Sequence, residues 1–281
     1  MWFLPSLICG LTFAANRLLI RSVFTKHSNP MIFGAVHELL AGLFLLPIGI
    51  FFFSLPQSPK TWLALSLGIF FIFLCDLFGF LALRKIEVSL LQIINQLRHI
   101  VVLLGAYLLF AEIISPTKVI SIFFIMFGVF VALVGKSKIT MNKETLYAFL
   151  STISISCALL FIKMASADVA PAFSGTLSLI ISGVLIYVLL IVRGEKPAKL
   201  IPIEHRKQLF IAAGIFAVFE LAFFTALAVG EASKVTPVTQ SSMIFTLIGG
   251  YVFLNERNHM KQKIIGSLLI AIGIILLYVI R

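Results

Sequence analysis

Residues 76–112 align without a gap on residues 220–256 at a constant shift of 144, and the match carries an acidic residue into the middle of an apolar stretch in both copies. Phe80/Phe224, Ala82/Ala226, Ser89/Ser233, Gln96/Gln240, Gly105/Gly249, Tyr107/Tyr251 and Glu112/Glu256 are identical, and Asp76 faces Glu220. A shared apolar composition could produce some of the Leu and Phe matches, but not the polar ones. Pro30, Gly34 and Gly42 recur as Pro171, Gly175 and Gly183 at a shift of 141, and Gly128 as Gly273 at a shift of 145. The repeat therefore divides the chain into residues 1–140 and 141–281, and internal repeats of this kind are a basis of transporter folds.

The composition places that duplication in a membrane. Hydrophobic residues make up 60% of the chain and charged ones 12%, with a mean hydropathy of +1.12, far from the balance of a soluble domain. A hydrocarbon core about 30 Å thick needs about 20 apolar residues per helix. Ten such spans lie near 2–20, 31–53, 62–83, 88–111, 116–135, 145–166, 172–192, 208–229, 233–254 and 262–280. Barrel strands would show alternating segments of about ten residues, so the expected fold class is an all-α integral membrane protein with ten transmembrane helices. Five spans per copy is an odd number, so the second copy enters the bilayer from the opposite side. Inverted repeats put a pseudo-twofold axis in the membrane plane and a substrate site near the midplane.

Several function classes drop out. The longest connection, from Arg193 to Lys207, leaves no room for a nucleotide-binding module. No glycine-rich phosphate loop with a following Lys, no Cys/His cluster and no serine-centred elbow occurs. No cofactor, metal or catalytic residue is expected, and the chain reads as a non-enzyme. Cys9, Cys75 and Cys157 lie in apolar spans at spacings unlike metal or redox motifs and read as packing residues. The first span lacks a basic n-region and should stay in the mature protein.

The net charge of +11 could suggest nucleic acid in a soluble chain, but its placement points to the bilayer. Of 22 Lys and Arg, 15 fall in the odd-numbered connections or the span starts beside them, and four at the other connections, the span starts beside those, or the terminus. The positive-inside tendency makes the odd connections cytoplasmic and puts both termini outside.

Six formal charges fall within the spans and away from their first turns: Arg17, Glu38, Asp76, Arg98, Lys163 and Glu220. A central charge costs about 2.5–3.5 kcal/mol on insertion scales, so such groups persist where they pair or face water. They either line a polar cavity or form structural ion pairs between helices. Asp76 and Glu220, near the centres of spans three and eight, are the first candidates for proton exchange, with Glu38 shallower in span two. Arg17 could pair with Glu38, and a fixed bond to Arg98 or Lys163 is the structural alternative for the two central acids.

Gln92, Asn95, Gln96 and His99 follow i, i+3, i+4, i+7 spacing on one face of span four, with Arg98 beside them. Span nine answers with Ser233, Thr236, Thr239, Gln240 and Ser241, and the two stripes would meet on the pseudo-twofold axis as substrate lining. Arg98 and His99 have Ser242 and Met243 as counterparts, so they break the repeat where substrate choice can reside. Arg98 suits a carboxylate or phosphate, and His99 could titrate near physiological pH. Phe80 and Phe224, one turn after Asp76 and Glu220, could flank an organic substrate. Glu112 and Glu256, five residues after Tyr107 and Tyr251, shape turns, and Ser115-Pro116 reads as the N-cap and first turn of span five.

Two five-helix halves, each ending in a Gly-containing helix, a Glu, a short turn and another Gly-containing helix, resemble the drug/metabolite transporter superfamily, specifically its EamA-type ten-helix exporters. The run from Gly249 to Glu256, followed by Gln262, Gly266 and Gly273, carries the resemblance. Ala111-Glu112 and Gly128 repeat it, although Ala111 and Asn255 stand where the usual Gly precedes Glu. The resemblance implies secondary transport of small metabolites such as amino acids by alternating access, with both termini cytoplasmic, opposite to the loop charges.

The expected protein is thus a multi-pass transporter of the inner (cytoplasmic) membrane for small polar or zwitterionic metabolites, with protons as the candidate coupling ion. The alternatives are a cationic substrate drawn by the three acids, or a lipid flippase or membrane enzyme using His37, Glu38 and His99. Its partners would be a small-molecule substrate, the lipid bilayer and protons, without nucleic acid. Ten helices suffice for a monomer, and Gly42 and Gly183 permit close packing within one chain or in a homodimer.

Overall fold

The computed structural model describes residues 2–23, 30–82, 91, 94–133, 142–194, 203–254 and 260–279, and among these it contains helices, turns and no strand. The α-helices are α1 (Phe3–Val23), α2 (Pro30–Phe51), α3 (Pro59–Ala82), α4 (Arg98–Phe110), α5 (Pro116–Leu133), α6 (Lys143–Ala165), α7 (Pro171–Val192), α8 (Ile203–Val229), α9 (Ala232–Val238), α10 (Ser241–Leu254) and α11 (Met260–Val279). Four of them begin on a proline, where the missing N–H is one the first turn cannot pair anyway. Ser58 Oγ accepts from Thr61 N–H (3.1 Å), Ser115 Oγ from Lys118 N–H (3.2 Å) and Asn142 Oδ1 from Thr145 N–H (2.8 Å). These side chains satisfy donors the helix itself leaves open, and the Ser115-Pro116 start is as the sequence predicts.

Helices α1, α2, α3, α6, α7, α8 and α11 are each long and apolar enough to cross a membrane. Among the described residues, the spans near 88–111 and 233–254 are helical as expected, with a local interruption of the regular α-helix in each. Span nine divides into α9 and α10, with Pro237 lacking the N–H that would continue the ladder. The chain tightens there: Gln240 N–H bonds Pro237 O (2.9 Å), Ser242 N–H bonds Thr239 O (3.1 Å) and Met243 N–H bonds Gln240 O (2.9 Å). At the place in span four equivalent to Thr239, the helix tightens into a 3₁₀ turn over Asn95–Leu97 that leads into α4. Short 3₁₀ stretches inside helices mark hinges and functional positions.

The helix pairings repeat when each helix is exchanged for its counterpart. α3 packs on α6 as α8 packs on α1, α2 on α8 as α7 on α3, and α4 on α6 as α10 on α1. The self-equivalent pairs are α2 with α7 and α5 with α11. Glycine allows both close crossings. A Cβ on Gly42 would meet Ile180 and one on Gly183 would meet Leu39, which are themselves equivalent positions. A Cβ on Gly128 would lie 2.6 Å from the Gly266 carbonyl oxygen, so α5 and α11 touch backbone to backbone. The largest apolar core joins Leu65 of α3, Val102 of α4, Leu159 of α6, Leu227 of α8 and Val235 of α9. That core fixes the two broken spans against their neighbours.

Candidate functional site

A cavity of about 220 Å³ lies where the two breaks meet. Five of the six intramembrane charges line it: Arg17 from α1, Glu38 from α2, Asp76 from α3, Arg98 at the start of α4 and Glu220 from α8. Asn95, Gln96, Thr239 and Gln240 contribute to its polar wall, as do Ser178 and Ser182 of α7. Among the described residues, the ion pairs within 4.0 Å are Lys118 with Glu231 and Lys234 with Glu231. None joins an acid to an arginine in the cavity. Glu38 Oε2 and Arg98 Nε are buried without a hydrogen-bond partner.

Apart from Arg98, each of these charges has a neighbour that is not an opposite charge. Ser182 Oγ donates to Asp76 Oδ2 at 2.8 Å, and Glu38 reaches both Ser182 and Asp76. Ser178, one turn before Ser182 on α7, stands against Glu220. Arg17 lays its guanidinium over the Phe13 ring, 4.4 Å from the centroid, a cation–π contact in place of the expected pair with Glu38. Phe13 in turn packs on Phe219 (5.0 Å), and Phe216 and Phe223 extend the ring stack along α8. Phe216, Phe219 and Phe223 follow i, i+3, i+7 spacing, so one face of α8 supplies an aromatic wall beside Glu220.

The remaining candidates are distributed differently. Phe224 lines the cavity, whereas Phe80 packs against Gly34 and the cluster around Met31 and Ile186. Phe224 meets Gly175 in the same way, so the Phe–Gly contact is a packing device of both halves. His99 is buried behind the wall, with its Nε2 3.2 Å from Gln240 Nε2 and its Nδ1 unpartnered. Asn95 Oδ1 accepts from Thr152 at 2.7 Å. His37 turns away to Asn16, whose amide also bonds the Ala212 carbonyl. Gln92 and Glu256 lie outside the described residues. Lys163 leaves the central acids altogether: its Nζ donates to the carbonyls of Leu227 (2.6 Å), Ala228 (3.3 Å) and Gly230 (2.7 Å) at the end of α8. There its charge meets the negative end of the helix dipole.

Sequence reading missed Ser178 and Ser182. Their signal is present as Ser174, Ser178 and Ser182, a period of four on one stripe of α7. It also missed a second buried cluster at the junction of α8 and α9. Lys118 counted there among the charges of the connections, yet it is 2% exposed and bonds Glu231 (2.6 Å), Ser233 (3.0 Å) and the Ile113 carbonyl (2.8 Å). Glu112 shapes its turn as expected and caps α9 besides. Its carboxylate accepts from the backbone N–H of Ala232 (2.9 Å) and Ser233 (3.3 Å) and from the Ser233 hydroxyl. Among the described residues no group of three His, Cys, Asp or Glu side chains is placed to hold a metal ion.

Comparison with known proteins bears on the fold and the family. One solved structure, described only as "Crystal structure of protein", superimposes with a TM-score of 0.82 at 16% identity, over 98% of this chain and 95% of that one. At that identity the likeness shows the fold alone. No curated protein matches in sequence. The profile of the EamA-like transporter family matches twice, over residues 1–134 and 142–279. Helical repeats, mirrored pairings, two breaks facing one polar cavity and this double match agree, and the chain belongs to the EamA-like transporter family.

Proposed function

We propose that this protein is a secondary active transporter of small polar or zwitterionic metabolites, amino acids or their relatives, working by alternating access and coupled to protons. One observation carries the reading: three carboxylates and two guanidinium groups surround one cavity inside the membrane with no ion pair between them. Intramembrane charges are costly and are kept for function or for pairing. These are not paired, so a ligand of both signs is their natural complement. Arg98 takes the carboxylate of the substrate, with Gln96, Asn95 and Gln240 hydrogen-bonding its polar atoms. Glu38, Asp76 and Glu220 take the ammonium group and exchange protons. Phe224 closes the apolar side, and His99 acts from behind Gln240. A cavity of about 220 Å³ is below the roughly 300–1,000 Å³ of sites for drug-sized ligands, which favours metabolites over drugs.

The breaks in spans four and nine give the halves a place to bend, and a substrate that binds one arrangement better shifts the balance toward it. The test is thermal stabilisation of the purified protein by a panel of amino acids and organic cations, because a ligand at 100 times its Kd adds about 2.7 kcal/mol. Stabilisation by an amino acid that disappears in Arg98→Ala supports the zwitterionic site. Stabilisation by cations alone, unchanged in Arg98→Ala, would replace it with a cationic one, since acids outnumber arginines in the cavity.

A further inference from the structure

Spans four and five adjoin in sequence, yet α4 stands apart from α5, leaning on α6 and α9 while α5 leans on α11. The equivalent helices of the other half, α10 and α11, do pack on each other. The gap is a cleft of about 500 Å³, lined by Leu97, Ile100 and Leu103 on one side and by Ile122, Phe123 and Phe127 among others on the opposite side. Phe123 and Phe127 stack at 5.8 Å with planes 4° apart, which makes one wall smooth, and Ile122 is buried at its base. The single polar liner is Gln96, which also lines the central cavity.

We infer that this cleft seats one acyl chain of a membrane phospholipid. Its volume falls within the range of ligand sites, about 300–1,000 Å³, and its lining offers no charge to a headgroup or an ion. An apolar cleft excludes water. Its rim continues into the exposed apolar belt of Leu104, Leu108, Val119 and Ile120, on helices whose surroundings are lipid tails. A tail lying there replaces the helix contact that the other half makes with protein, and its tip abuts Gln96 at the break of span four. The seated lipid then reports on, and biases, the position of that break. This site is independent of the substrate reading, since it concerns the outer face of span four.

The test replaces Trp2 and Trp62 by Phe and adds either Phe123→Trp in the cleft or Ile275→Trp on the exposed face of α11. Both proteins are titrated in detergent with phosphatidylcholine brominated on its acyl chains, and thermal unfolding confirms that both remain folded. Phe123→Trp should lose about half of its fluorescence with lipid equimolar to protein, because a specific site fills by mass action, while Ile275→Trp loses little. Adding Leu103→Trp, monitored by lipid retained in native mass spectrometry, should expel the bound chain. Equal quenching at both positions, or lipid retention unchanged by Leu103→Trp, would overturn the site. Transport assays play no part, so a failed substrate assignment leaves this result intact.

Discussion

Two regions of this protein bury charge, and they treat it in opposite ways. At the junction of α8 and α9, every buried charge has found a partner: Lys118 and Lys234 on Glu231, Glu112 on the start of α9, Lys163 on the end of α8. In the central cavity, Glu38, Asp76, Arg98 and Glu220 stand within one space and form no ion pair. The first region holds the halves together, since Glu112 and Lys118 come from one and Ser233 and Glu231 from the other. The second leaves its groups without an ion-pair partner of their own among the described residues.

The largest effect expected from that contrast is on transport. Asp76→Asn and Glu220→Gln should abolish proton-driven uptake into vesicles while leaving the melting temperature unchanged or higher, because an unpaired central charge costs about 2.5–3.5 kcal/mol. Intact uptake in both variants would remove the coupling assignment. A lowered melting temperature would break the comparison itself, by showing that these carboxylates hold the fold together.

The paired region should answer through stability, and unequally. Glu231→Ala leaves Lys118 buried with neutral partners and should cost about 3 kcal/mol, the scale of breaking a buried pair. Lys118→Met leaves Glu231 half in solvent, with a side chain 40% exposed, and should cost about 1 kcal/mol, as for an exposed pair. Equal losses in denaturant titrations would show that the pair is not asymmetrically buried.

Ala111 sharpens the picture on a smaller scale. It ends α4 at φ 54°, and among the described residues it is the one non-glycine with positive φ. The conformation lets Glu112 N–H bond the Ala106 carbonyl at 3.3 Å and so aims the Glu112 carboxylate at α9. Left-handed backbone costs a residue with a Cβ about 1–2 kcal/mol, so Ala111→Gly should stabilise the protein by about 1 kcal/mol in the same titrations.

The smallest effect is a pH dependence. Burial pushes the Glu231 carboxyl up, but hydrogen bonds from Lys118 and Lys234 outweigh it and hold the group below the usual carboxylate range. A depressed folded-state value means the contribution is present above the unfolded carboxylate range and fades as the pH falls through the lowered one. Wild-type stability should therefore decline more steeply in acid than that of Glu231→Gln, and parallel acid curves would count against the ion pair.

Much of this was readable along the chain. The alignment of Asp76 with Glu220 and of Gln96 with Gln240 located both walls of the cavity, because duplicated polar residues in apolar spans have no lipid-facing place to go. The junction cluster also has sequence counterparts: Glu87, Ser89, Glu256 and Lys263 answer Glu231, Ser233, Glu112 and Lys118. The partners were not readable. Lys163 lies in the last turn of its span, and only the approach of the end of α8 shows that it binds carbonyls. Ser182 stood in a readable serine stripe, but its partner Asp76 emerged only where α7 crosses α3.

The sequence by itself determined the class and the plan: ten apolar spans, two copies, and acids at equivalent depths, since hydrophobic length and repetition are properties of the chain. Only the tertiary structure decided which buried charges meet, because pairing depends on helix crossing and rotation over a few ångströms. It also decided that both central spans break, and that α4 leaves α5 while α10 keeps α11. Those choices rest on packing between segments far apart in sequence, and the repeat alone would have made the two halves alike.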